Sequence, residues 1–103
     1  MLAKVKQALR VKSTTADDEL LALIASGIAD IRHAGASFEV AEERSQGVVV
    51  DYIVSDPLVS NAIISYCKFS FGSPADMEKW KRIYDEQKGQ MRESRAYGME
   101  EVI

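Results

Sequence analysis

Apolar residues fall on nearly every side of the stretch 56–72, DPLVSNAIISYCKFSFG, and the rest of the chain is patterned as neighbours for it. Leu58, Val59, Ala62, Ile63, Ile64, Tyr66, Cys67, Phe69 and Phe71 leave Lys68 as the first charge, so a helix over 57–71 must be covered by other elements. Asp56 before Pro57 is a cap followed by a residue suited to a first turn, and Gly72 stands where a left-handed stop is expected. At about 1.5 Å per residue such a helix is about 22 Å long, short for a membrane span. The β-branched Val59, Ile63 and Ile64 keep a buried strand open as the alternative, since a short apolar run does not separate the two.

Before this stretch the pattern predicts two helices. Residues 1–12 place Leu2, Val5 and Leu9 at near-helical spacing, with Lys4, Lys6, Arg10 and Lys12 between them and no acid. That is a short basic amphipathic helix, either packing by its three apolar residues or meeting an acidic surface or phosphate. Ser13-Thr14-Thr15 then forms a cap cluster, and Asp17, Asp18 and Glu19 suit the positive end of a helix dipole. Three consecutive acids splay around a helix, which disfavours a metal site. Leu20, Leu21, Ile24, Ile28 and Ile31 continue the stripe to a stop at Gly35, and Gly27 within it suggests close approach of another helix.

Residues 36–55 break the helical pattern. Glu39, Glu42, Glu43 and Arg44 form a charged run, Gln46-Gly47 looks like a turn, and Val48–Val54 has strand composition. A lone strand needs a partner for its ladder. A small hairpin with residues 37–43, an extended segment over the helices, or pairing with another copy would each supply one. A connection this long in a small domain is usually functional. Beyond it, Ser73-Pro74-Ala75-Asp76 opens a last helix in which Met77, Trp80, Ile83, Tyr84, Gln87 and Met91 share a face. Gly89 weakens that helix, and residues 95–103 show no pattern, as in a tail that is disordered alone or docks onto a partner.

The expected fold is therefore all-α: a small bundle of about four helices around the apolar helix 57–71. Leu21, Ile24, Ile28, Ile63, Tyr66, Trp80 and Tyr84 form its core, and the long connection has room for a short strand or hairpin. The 103 residues make one domain, with 36–55 a long loop and 95–103 a flexible tail. Net charge −3 gives no global pull toward nucleic acid or anionic lipid. The last helix balances its bases with acids, against tight duplex binding. One cysteine rules out an internal disulfide, and the N-terminus lacks a signal-peptide core, so a cytoplasmic site of synthesis is expected.

Convergent reactive groups are scarce. His33 is the lone histidine, placed near a helix end, and Cys67 sits within the apolar helix, so both read as structural. No glycine-rich phosphate loop, zinc spacing or dinucleotide fingerprint occurs, and neither an enzyme nor a cofactor is expected.

The opening VKQALRVKSTTADDELLALIASGIADI and the later DPLVSNAIISYCKFSFGSPADMEKWKRIYDEQKGQM resemble the small head–tail connector proteins of tailed bacteriophages, also called head-completion or adaptor proteins. The resemblance rests on Val5-Lys6 and Leu9-Arg10, the acidic start Asp17 to Leu21, the Ala62 to Gly72 helix, Trp80 with Tyr84, and Tyr97-Gly98. It covers about four-fifths of the chain, and residues 36–47 and the Val48–Val54 run have no counterpart. It implies a structural virion protein at the head–tail interface, made in the host bacterial cytoplasm. Its copies form a ring under the portal protein after DNA packaging and extend the channel toward a stopper or tail-completion protein. Packaged DNA passes nearby without specific binding, and no membrane is involved. Glu39, Glu42 and Glu43 are then expected near the bore, and Val48, Val50, Tyr52, Tyr97, Met99, Val102 and Ile103 at subunit or portal contacts. The competing readings are a small DNA-binding regulator and a helical protein–protein interaction module.

Overall fold

The computed structural model describes the backbone of residues 1–72 and 74–102, with side chains in that span as far as Met91. The order is α1 (Leu2–Leu9), α2 (Asp17–His33), β1 (Val40–Ser45), β2 (Val48–Val54), α3 (Pro57–Phe71), a 3-10 turn (Pro74–Asp76) and α4 (Met77–Val102). Helix α3 packs against α1, α2, α4 and β2, so the most apolar segment is the hub. Coverage is incomplete at its start, where Leu58 stays 48% exposed.

Local chemistry sets the helix ends. Asp56 Oδ1 accepts the N–H groups of Leu58 at 2.9 Å and Val59 at 3.4 Å, capping α3. Gly72 ends α3 in an extended conformation, φ −75° and ψ −170°, and not in the left-handed one expected. Glycine is needed there because a Cβ would run into the Lys68 carbonyl oxygen, which accepts the Gly72 N–H. Left-handed residues do close α1 and α2, at Arg10 (φ 59°) and Gly35 (φ 107°). The Ser13-Thr14-Thr15 cluster caps nothing. Ser13 Oγ accepts the Thr15 N–H at 3.0 Å and meets Thr15 Oγ1 at 2.7 Å, closing a turn of its own before α2. Asp17 instead reaches Lys6 Nζ at 2.7 Å and ties α2 to α1.

The core joins Val5 to Leu20, Ile24, Ile28 and Ile31 of α2, Val59, Ala62, Ile63 and Cys67 of α3, and Tyr84 and Met91 of α4. Ile24, Ile28, Ile63 and Tyr84 are buried, whereas Leu21, Tyr66 and Trp80 are half-buried. Leu20 takes the interior place assigned to Leu21 because it continues the four-residue spacing of Ile24 and Ile28. Gly27 is buried against α3, where a Cβ would stand 3.2 Å from Tyr66 Cδ1. The Tyr66 ring in turn meets Phe69 and Tyr84 edge-on, at centroid distances of 5.0 and 5.3 Å.

The all-α expectation is wrong. Residues 40–54 form a two-stranded antiparallel sheet, so the architecture is mixed α/β, mostly helical. The register pairs Val40 with Val54, Glu42 with Tyr52 and Ser45 with Val48, with a bulge after Glu43. β2 carries the β-branched residues that favour a pleated surface, and its ladder is satisfied locally by β1. β1, VAEERS, has no apolar alternation, and its exposure explains why its sequence reads as loop. The turn is decisive: Gln46 (φ 53°) and Gly47 (φ 80°) supply the two positive φ angles of a tight hairpin turn. Because Asn tolerates that conformation better than Gln, Gln46→Asn should raise stability by about 0.5 kcal/mol, about 3 °C in a thermal melt. An unchanged melt would show that the turn does not limit the hairpin. Helix α4 runs on through Gly89.

Candidate assembly surface

The hairpin has an inner and an outer face. Val40, Tyr52 and Val54 turn toward the helices, and Val54 is 8% exposed. The register, with its bulge after Glu43, places Ala41, Glu43, Ser45, Val48, Asp51 and Ile53 on the opposite face. Val48 is 64% and Ile53 51% exposed there, and Val50, at the bulge, is 37% exposed. Large aliphatic side chains left exposed on a small hairpin make it a candidate contact surface. Among the described residues, no backbone hydrogen bond is made on the outer edge of β1 either.

Asp51 anchors the hairpin to the helices. Its Oδ1 accepts the N–H of Leu2 at 2.9 Å and of Tyr52 at 2.7 Å, and lies 3.4 Å from the Met1 α-ammonium. That ammonium donates to the Tyr52 carbonyl at 2.9 Å. Burial pushes the Asp51 carboxyl up, but the two N–H donors and the ammonium outweigh it and hold it below its ordinary value. Sequence reasoning missed Asp51 and Ile53. The local hint is a lone acid within the apolar run Val48–Val54; the roles themselves come from the register.

Glu39, Glu42 and Glu43 are all exposed, but they are not equivalent. Glu42 is held by Arg44 through contacts of 2.6 and 3.1 Å, and Arg44 also donates to the Gly47 carbonyl at 3.0 Å. Glu39 and Glu43 have no ion pair among the described residues. Of the residues expected at contacts, Val48 and Val50 are exposed and Tyr52 turns inward, half-buried. The side chains of Tyr97, Met99 and Val102, and Ile103 entirely, lie outside the described residues.

The groups that could do chemistry do not converge. Cys67 is fully buried, and burial pushes its thiol up to about 12, which keeps it protonated and inert. His33 is exposed at the end of α2. Among the described residues no three His, Cys, Asp or Glu side chains are grouped to hold a metal ion, and no helix is long and apolar enough to cross a membrane. A partly buried polar cluster joins α2 to α4: Tyr84 Oη donates to Asp30 Oδ2 at 2.6 Å, and Lys88 Nζ reaches the same oxygen at 3.1 Å.

No curated protein and no solved structure matches the chain. A protein-family model described as phage connector protein does, over residues 1–98, a span that takes in α1, the hairpin and α3 together with most of α4. By that match the chain belongs to the phage connector protein family.

Proposed function

We propose that the chain is a structural subunit that assembles with copies of itself into a ring beneath the portal and extends the DNA channel toward a stopper or tail-completion protein. The observation that carries this reading is the outward hairpin face, where Val48 and Ile53 stand uncovered while the helices enclose their own core. A subunit that must meet identical neighbours needs such a surface beyond what its own fold consumes, and head-to-tail contacts close into a ring when the rotation permits. Portal and neighbouring copies are the partners, and the virion head–tail interface is the place of action. Electron microscopy of the protein mixed with a portal tests the reading. Rings seated on the portal are expected; a stable dimer that ignores portals would refute it.

The acidic approach to the hairpin suits the rim of a DNA channel, because carboxylates do not grip phosphate. Glu39 has no ion pair among the described residues, and Glu42 is held in place by Arg44. Replacing Glu39 and Glu42 together by Lys should reduce retention or passage of packaged DNA and lower phage yield by about ten-fold or more, through phosphate contacts that salt weakens. A normal yield would remove these residues from the channel.

A further inference from the structure

The hairpin abuts the beginnings of α1 and α3: Asp51 and Tyr52 bond to Met1 and Leu2, and β2 leads into Pro57. At the other ends of the same two helices lies a groove lined by Leu9, Arg10, Lys68, Asp76, Lys79 and Trp80. Lys68 Nζ stands 4.0 Å and Lys79 Nζ 5.4 Å from the centre of the one Trp80 ring. Two ammonium groups drawn to one indole repel each other, and neither they nor Arg10 forms an ion pair among the described residues. Among the described residues Asp76 is the single acid in the lining. The groove thus sets one indole and the Leu9 side chain beside surplus positive charge.

Arg10 adds a second peculiarity. It closes α1 at φ 59°, a position where glycine is favoured and another residue is strained by about 1 kcal/mol or more. The strain places a guanidinium at the groove where the fold alone would take glycine.

Resting on the ring reading above, we propose that this groove receives the outward hairpin face of a neighbouring copy, with Val48 and Ile53 over Leu9 and Trp80 and Glu43 among Arg10, Lys68 and Lys79. The occupant is named by complementarity. Residues 39–54 carry Glu39, Glu42, Glu43 and Asp51 against Arg44 alone, and Glu43 is the carboxylate without an ion pair on the outward, apolar face. Acid-plus-aliphatic at one end of the helices and base-plus-aromatic at the other is the arrangement a head-to-tail contact requires, since each copy must offer two different surfaces. The hairpin spans the subunit boundary, giving Glu43 to the neighbour and leaving Glu39 and Glu42 to the channel side.

Charge reversal tests the contact. Self-association of the full chain, alone and on portal protein, is followed by sedimentation velocity and by emission of Trp80, the lone tryptophan, which lies in the groove. Glu43→Lys and Lys79→Glu should each weaken association by about ten-fold or more, and a 1:1 mixture of the two variants should regain it, because every contact in an alternating assembly is then complementary. Arg10→Gly should weaken association while the melting temperature holds or rises, separating contact from folding. Wild-type assemblies that tolerate both reversals would overturn the groove contact and leave the ring standing. A chain that assembles neither alone nor on a portal would remove both. Displacement of Trp80 emission by duplex DNA in place of self-association would give the groove to phosphate and overturn the proposed occupant.

Discussion

Replacing Tyr84 by alanine is expected to cost about 3–5 kcal/mol, roughly half the stability of a domain this size. The ring is 2% exposed and touches Tyr66 and Phe69 at centroid distances of 5.3 and 5.5 Å. Its removal leaves a cavity between α3 and α4 and ends aromatic contacts worth about 1 kcal/mol each. The hydroxyl contributes separately. Burial and the bond to Asp30 both push the Tyr84 phenol up, so it stays a donor at any ordinary pH. Tyr84→Phe keeps the ring and leaves Asp30 its bond from Lys88, so it should cost only about 1 kcal/mol. The comparison decides between ring and hydroxyl. Urea unfolding with unchanged m-values should show the alanine variant at least about 2 kcal/mol below the phenylalanine one. Equal losses would mean that the polar link to Asp30, and not ring packing, holds α4 in place.

Tyr84 also shows what kind of information the sequence carries. Its place on a buried face follows from the 3–4 spacing with Trp80 and Met91, because helical periodicity is a local signal. The same holds for α3: Asp56-Pro57 announces its start, and its apolar surround makes it the hub before any coordinates are seen. Which member of an adjacent pair points inward is less legible, as Leu20 and Leu21 show; a rotation of one residue on a wide apolar stripe decides it. The hairpin was half visible. Val48–Val54 reads as strand, but its partner Val40–Ser45 is polar, nearly all exposed, and follows no period. Its strand character comes from backbone pairing across the Gln46-Gly47 turn, a contact that composition does not encode. The proposed assembly surface follows the same rule. Val48 and Val50 were recognisable as surplus aliphatics, whereas Ile53 and Asp51 acquire their roles only from the register and from where the chain's first residues come to lie.

Asp51→Ala should detach the hairpin without melting the helices. One carboxylate oxygen serves the N–H groups of Leu2 and Tyr52 and faces the Met1 ammonium, so alanine strands two N–H donors and removes the counter-charge of the ammonium at the base of the hairpin. Because the Asp51 side chain is 27% exposed, water replaces part of what is lost, and about 2 kcal/mol is expected where full burial would exact more. The loss is local: amide exchange in β1, β2 and the first turn of α1 should accelerate by about thirty-fold, while α3 and α4 keep their protection. pH gives an independent check. The folded-state pKa of Asp51 lies below its unfolded value, so its contribution is complete above about pH 4 and is lost as pH falls through the lowered folded value. Asp30 is lowered too, chiefly by the Tyr84 hydroxyl, and titrates in the same window. Asp51→Asn should therefore flatten, without abolishing, the acid limb of the stability profile. A hairpin that exchanges no faster in the alanine variant would place its anchor in Val54 and Tyr52 alone. Since the hairpin is also the proposed contact between copies, the alanine variant should assemble poorly at a temperature where its helices are intact. That pairing of local loosening with lost assembly is what ties the anchor of the fold to the work of the connector.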